Sequence, residues 1–132
     1  MAARRDVQAQ RHILIIDDNV EIQNVFRRVL EYEGFAVTSA QSGAEGIARL
    51  HEHTFALVIV DLMLPDILGY EVARALRNDP ATAGVPIAAF TVRTSYEDEL
   101  RAYSAGCDSV IAKPCSIDEF MQQVRRLVQS TD

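Results

Sequence analysis

Short apolar runs, each followed by a stretch with helical period, restrict the fold of this chain more than any other feature. Four runs are continuous: Ile13 to Ile16, Leu57 to Val60, Ile87 to Phe90 and Val110 to Ala112. A fifth, Phe35 to Thr38, is mixed. A short run that is apolar on both faces suits a strand covered on both sides, which is the condition of a parallel sheet. In the first intervening segment Ile22, Val25, Phe26, Val29 and Leu30 share one helical face, and Gly34 closes it as a C-cap. Ser42 and Glu45 have capping-box spacing at the head of the second, with Ile47 and Leu50 facing inward. Val72, Ala73 and Leu76 mark the third, which ends before Pro80. Ser95 to Asp98 open the fourth, which carries Leu100 and Tyr103. Ser116 to Glu119 open the fifth, striped by Ile117, Phe120, Val124, Leu127 and Val128. Five strands alternating with five helices, joined by right-handed crossovers, predict an α/β doubly wound parallel sheet, for which 2-1-3-4-5 is the common five-strand order. A closed eight-fold barrel needs roughly twice this length.

The 132 residues suit one domain, and 48% hydrophobic against 24% charged residues is enough to build a core without staples. Residues 1–11 are polar and aperiodic and read as a flexible leader, 12–129 as the domain, and 130–132 as a frayed end. Net charge of −6 argues against nucleic acid as a direct partner. No apolar run approaches the roughly 20 residues needed to span a bilayer. Cys107 and Cys115 are too few for a disulfide framework, and no secretory leader precedes them, so the expected location is cytoplasmic. Both read as packed or half-exposed thiols. His51 and His53 are two apart and share no helix face, which argues against a metal pair.

The polar residues that follow the strands carry the chemistry. Asp17 and Asp18 follow the first, Asp61 the third, Thr91 the fourth and Lys113 the fifth. Lys113 is the one lysine among 13 basic residues. In an open parallel sheet ligands bind outside the carboxyl ends of the strands where the order reverses, between strands one and three here. The three aspartates therefore converge on one crevice flanked by Thr91 and Lys113. Two like charges ~4 Å apart repel by roughly 4 kcal/mol even in a partly aqueous setting. Either one acid holds its proton at neutral pH or a divalent cation neutralises the cluster. An all-oxygen donor set suits Mg²⁺. A remaining carboxylate can act as a nucleophile toward phosphorus, with an ammonium and a hydroxyl to stabilise the phosphoryl oxygens. Taken singly, Asp17 and Asp18 have a second, less favoured reading as helix N-caps, a role open also to Asn19, and Asp61 one as a turn residue.

These residues resemble the receiver domain of two-component response regulators. The matching pieces are Asp17-Asp18 after Ile13 to Ile16, Val60 to Pro65 with Gly69 beyond, Phe90-Thr91, and Ala105 to Asp108 leading to Lys113-Pro114. The resemblance covers about His12 to Gln129 and implies a flavodoxin-like fold. It further implies that Asp61 accepts phosphate from a histidine kinase or histidine phosphotransfer protein. By the same resemblance Asp17, Asp18, Asp61 and the backbone carbonyl of Met63 hold Mg²⁺, and Thr91 is the switch hydroxyl. Lys113 pairs with the phosphoryl oxygens, and with the Asp61 carboxylate beforehand; its bond to Pro114 is cis, and Gly69 makes the turn that completes the loop after Asp61. The output face toward an unidentified partner protein is the fourth helix, fifth strand and fifth helix, with no direct nucleic-acid or membrane contact.

Two residues depart from the family pattern. Val92 stands where a very small residue is usual and is expected to narrow access to Asp61. Val110 stands where an aromatic residue is usual, leaving Tyr96 or Tyr103 as substitutes; Arg93 is read either as a residue of the pocket rim or as a solvated loop arginine. The chain ends just after the fifth helix, so it reads as a stand-alone regulator or an excised module. A phosphorylation-independent interaction module is the rival reading. An aspartyl phosphatase would need Asp-x-Asp around the nucleophile, and a flavin site would need a phosphate loop where Asp17-Asp18-Asn19 stands.

Overall fold

Each strand starts within two residues of an apolar run, and the register of the sheet brings the ends of the first and third runs, Ile16 and Val60, level with one another. The computed structural model describes residues 11–129; the expectations for 1–10 and 130–132 lie outside the described residues. In chain order the elements are β1 (His12–Ile16), α1 (Val20–Tyr32), β2 (Ala36–Ala40), α2 (Gly43–Arg49) and β3 (Phe55–Val60). They continue as α3 (Gly69–Asn78), β4 (Ile87–Thr91), α4 (Tyr96–Ala105), β5 (Ser109–Ala112) and α5 (Ile117–Gln129). The strands are parallel in the order β2-β1-β3-β4-β5, the common order expected for five doubly wound strands. Ile16 lies opposite both Ala40 and Val60, and Thr91 opposite Ala112. Thr91 is thus the last residue of its strand rather than the first beyond it.

Strand alternation sorts the core into two layers. Leu14, Ile16, Val58, Val60 and Ala89 face α2, α3 and α4, while Ile13, Ile15, Leu57, Ile59 and Phe90 face α1 and α5. Fully burying one such aliphatic side chain is worth about 1.5–3 kcal/mol, against ~1 kcal/mol for a helix cap, so burial against the sheet outweighs capping in the stability. Phe26, Phe90 and Phe120 join α1, β4 and α5 with ring centroids 4.4–5.3 Å apart.

The caps follow the sequence signals. Gly34 takes φ 101° just past α1, its N–H donating to Glu31 O and that of Phe35 to Leu30 O, a Schellman closure in which Leu30 and Phe35 share one core layer. Ser42 Oγ accepts from Glu45 N, but the Glu45 carboxylate reaches back to Gln41 N rather than to the cap residue itself. Ser116 and Glu119 make the full reciprocal box.

The helical stripes differ from expectation at four places. Val25, Leu100, Tyr103 and Ile117 are exposed. Gln23 is buried on α1, Ala102 and Ala105 on α4, and Met121 on α5. On α1, positions 23 and 25 flank the stripe almost symmetrically at 3.6 residues per turn, so periodicity alone does not choose between them. On α4 small residues face the sheet, and the large ones are left outside.

Candidate functional site

Backbone hydrogen bonds of the sheet continue one residue past the strands into the site. Asp17 N donates to Ala40 O (3.0 Å), Asp61 N to Ile16 O (3.0 Å) and Lys113 N to Thr91 O (2.9 Å). Each polar residue is therefore held at the sheet's edge by the ladder that precedes it. Asn19 caps α1, its Oδ1 accepting from Ile22 N at 3.1 Å, so neither aspartate serves as the helix cap. Short side-chain turns then aim the side chains. Asp17 Oδ1 accepts from Asn19 N (2.9 Å), Asp61 Oδ1 from Met63 N (3.0 Å) and Thr91 Oγ1 from Arg93 N (3.1 Å). The turn role for Asp61 and its place in the site are thus compatible: one oxygen makes the turn and the other faces the crevice.

Lys113 closes the cluster. Its Nζ donates to Asp17 Oδ2 at 2.6 Å and to Asp61 Oδ2 at 3.1 Å, and the three side chains are only 9%, 3% and 12% exposed. The shorter bond goes to Asp17, a partner that sequence reasoning did not supply. The ammonium also lies 5.2 Å from the Phe90 ring centroid. Burial raises the Asp17 carboxyl above its usual value, opposed by the bonds from Lys113 and Asn19. Burial pulls Lys113 the other way, but its two carboxylate partners outweigh that and raise it. Both shifts coexist because the ammonium has two carboxylates while Asp17 shares one ammonium.

Asp18 is exposed, yet one of its carboxylate oxygens lies within 4.8 Å of oxygens of Asp17 and Asp61. With all three acids ionised, one ammonium leaves two formal negative charges uncompensated. A doubly charged ion with oxygen preference balances them, so the donor set fits Mg²⁺. Met63 is held beside the cluster by its N–H bond to Asp61.

Gly69 plays a different part from the turn expected of it. It is the first residue of α3 and its φ is not positive; a Cβ there would stand 2.2 Å from Asp61 O and 2.7 Å from Leu62 Cα. Close approach of α3 to the backbone of Asp61 is what requires glycine. Thr91 is fully buried. The Arg93 guanidinium pairs with Asp98 (3.4 Å), an acid that also accepts from Ser95 Oγ and Tyr70 OH. Val92 is 66% exposed, Val110 packs against the α3 layer, and Tyr96 and Tyr103 lie outside on α4. The Lys113-Pro114 peptide is cis, as the resemblance implied, and both cysteines are free. The histidines sit at the strands' opposite end, His53 stacked on His12 at 3.8 Å and His51 bonded to Asp79.

Two further residues escaped the sequence reading. Asp66 bonds Gly43 N and Ala44 N, both at 2.8 Å, tying the loop after β3 to the head of α2. Gln23 donates its amide to Ile15 O and Ala40 O. The signal for Gln23 was a polar residue beside the apolar stripe of α1; nothing local marks Asp66, whose partners lie more than twenty residues away.

A doubly wound sheet whose reversal point gathers three carboxylates and an ammonium has the architecture and the acidic cluster expected of a receiver-type signalling domain. The chain belongs to the response regulator receiver domain family, whose pattern matches residues 13–125. It is 36% identical over 86% of its length to the uncharacterized transcriptional regulatory protein YkoG of Bacillus subtilis, covering 49% of that protein. It is 30% identical over 87% of its length to the polar-differentiation response regulator DivK of Brucella ovis, covering 94% of it. The response regulator TrrA of Thermotoga maritima, solved in complex with Mg²⁺-BeF, superimposes with a TM-score of 0.79 at 27% identity, covering 89% of this chain and 98% of that one. The chain thus spans about half the length of the first curated relatives and nearly all of a DivK. It is a receiver domain of two-component signal transduction. Among the described residues no helix is long and apolar enough to cross a membrane.

Proposed function

We propose that residues 12–129 form a Mg²⁺-dependent phosphoacceptor switch in which Asp61 takes a phosphoryl group from a histidine kinase or a histidine phosphotransfer protein. The observation that carries this reading is the Lys113 ammonium bonded at once to Asp61 and Asp17, with Asp18 beside them. An Asp61 carboxylate oxygen attacks phosphorus, an O–P bond forms and the donor's N–P bond breaks. The electron pair returns to the imidazole nitrogen that leaves. As charge spreads over the phosphoryl oxygens, Lys113 exchanges its bond with the Asp61 carboxylate for one with them. The Thr91 hydroxyl, which accepts from Arg93 N, keeps its own O–H free to donate to a phosphoryl oxygen. Mg²⁺ held by Asp17, Asp18, Asp61 and the Met63 carbonyl would supply the charge neutralisation that lets an anionic donor approach. The Mg²⁺-BeF complex of the Thermotoga maritima relative supports this assignment. Any self-catalysed phosphorylation or hydrolysis is slow, and the domain acts as a cytoplasmic signalling element rather than as an enzyme.

The output reading rests on α4, β5 and α5, where Tyr96, Leu100, Tyr103 and Ile117 leave apolar surface exposed for a partner protein. Intact mass after incubation with acetyl phosphate and Mg²⁺ tests the acceptor. One phosphate adduct is expected on the wild type and none on Asp61→Asn. An adduct that survives in Asp61→Asn, or none on the wild type, overturns the reading, the latter in favour of a phosphorylation-independent interaction module.

A further inference from the structure

We infer that Gln23 is a positioning residue for the cation pocket, a strap that fixes the end of β1 and through it the Asp17 carboxylate. The inference rests on Asp17 being a Mg²⁺ ligand, as proposed above. Gln23 is 3% exposed, and its Nε2 lies 2.7 Å from Ala40 O and 3.2 Å from Ile15 O. Ala40 O is the same carbonyl that accepts the Asp17 N–H. One side-chain amide thus spans the last rung of the β1–β2 ladder, at the point where the chain leaves the sheet to enter the site.

The location explains why a strap is needed. β2 is an edge strand, so Ala40 has a neighbouring strand on one side only. Beyond Ile16 the chain has just Asp17 to Asn19 before α1 begins. The ladder end would fray there without a second donor, because terminal rungs lack the flanking bonds that hold central ones. α1 supplies that donor from its own buried face, and Asn19 fixes where α1 starts by capping it. The Asp17 side chain is then aimed by Asn19 N and Lys113 from a backbone tied to Ala40 O. Groups behind metal ligands act in this way on affinity by fixing geometry.

The test combines Gln23→Met and Gln23→Leu, both apolar and without a hydrogen-bond donor. In the metal-free protein, amide hydrogen exchange reads the strap directly. The Asp17 amide is expected to lose protection selectively in both variants, while that of Asp61, whose bond to Ile16 O lies on the other side of β1, keeps it. The Mg²⁺ dissociation constant of Gln23→Met, measured by titration calorimetry, is expected to weaken about tenfold. Thr82→Val, which removes a buried hydroxyl bonded to Leu76 O on α3, controls for general destabilisation and should leave Mg²⁺ affinity unchanged. Equal protection of the Asp17 amide in wild type and variants overturns the inference. So does a Gln23→Met affinity no weaker than that of Thr82→Val. If the wild type itself binds no Mg²⁺, the proposed function fails, and the exchange arm still decides the strap.

Discussion

Lys113 shows how much a single side chain does here, because the charges it holds together come from strand ends 96 and 52 residues away. Around it, residue-scale changes have separable effects. Val92 lies on the surface, so Val92→Ala should move stability by less than about 0.5 kcal/mol. Phosphorylation by acetyl phosphate should nevertheless speed up if the larger side chain narrows the approach, and equal rates would remove that role. Gly69→Ala should do the opposite. Its new methyl would drive into the backbone of Asp61, costing about 1–3 kcal/mol. Urea unfolding measures that loss, and the phosphorylation rate should fall with it. The aspartates, Thr91 and Lys113 were legible in the sequence because each directly follows or ends an apolar run. The need for glycine at 69 was legible only as a motif position, since the atom it avoids belongs to another segment.

At the scale of elements, the loop between β3 and α3 is tied down by a cap that it lends to another helix. Asp66 accepts from Ala44 N and Gly43 N, and these bonds hold its carboxyl below the usual value. A depressed folded-state value means the unfolded chain takes up its proton first as pH falls. The stabilisation is therefore complete above about 3.8, the ordinary value, and is lost as pH drops through the folded one. Protection of the Gly43 and Ala44 amides should decline over that same acid range. In Asp66→Asn it should be severalfold weaker already at neutral pH, as hydrogen exchange followed by NMR would show. The helices were less legible than the strands. Their existence and caps followed from Ser42, Ser95, Ser116 and Gly34, but the buried faces of α1 and α4 were misread at Val25, Leu100 and Tyr103. A helical stripe has soft edges, and what settles an edge residue is the distance to the sheet, which local spacing does not contain.

Across the whole molecule the site and the core are one cooperative object, for the carboxylates hang from β1 and β3, two neighbouring interior strands of the sheet. An ion that binds only the folded arrangement must stabilise all of it. Mg²⁺ at ten times its dissociation constant should add about 1.4 kcal/mol to unfolding, seen as a higher urea midpoint with an unchanged slope. Asp61→Asn should shrink that gain. What the sequence determined by itself was the alternation of elements, hence a doubly wound parallel sheet, and the identities of the charged groups at the strand ends. These follow from short-range rules of period, capping and chain reversal. Only the tertiary structure decided that Lys113 sits closer to Asp17 than to Asp61, that Gln23 spans two strands, and that Asp66 caps a helix not its own. Those contacts join segments far apart in the chain, and an interaction that depends on three-dimensional distance leaves no trace in local spacing.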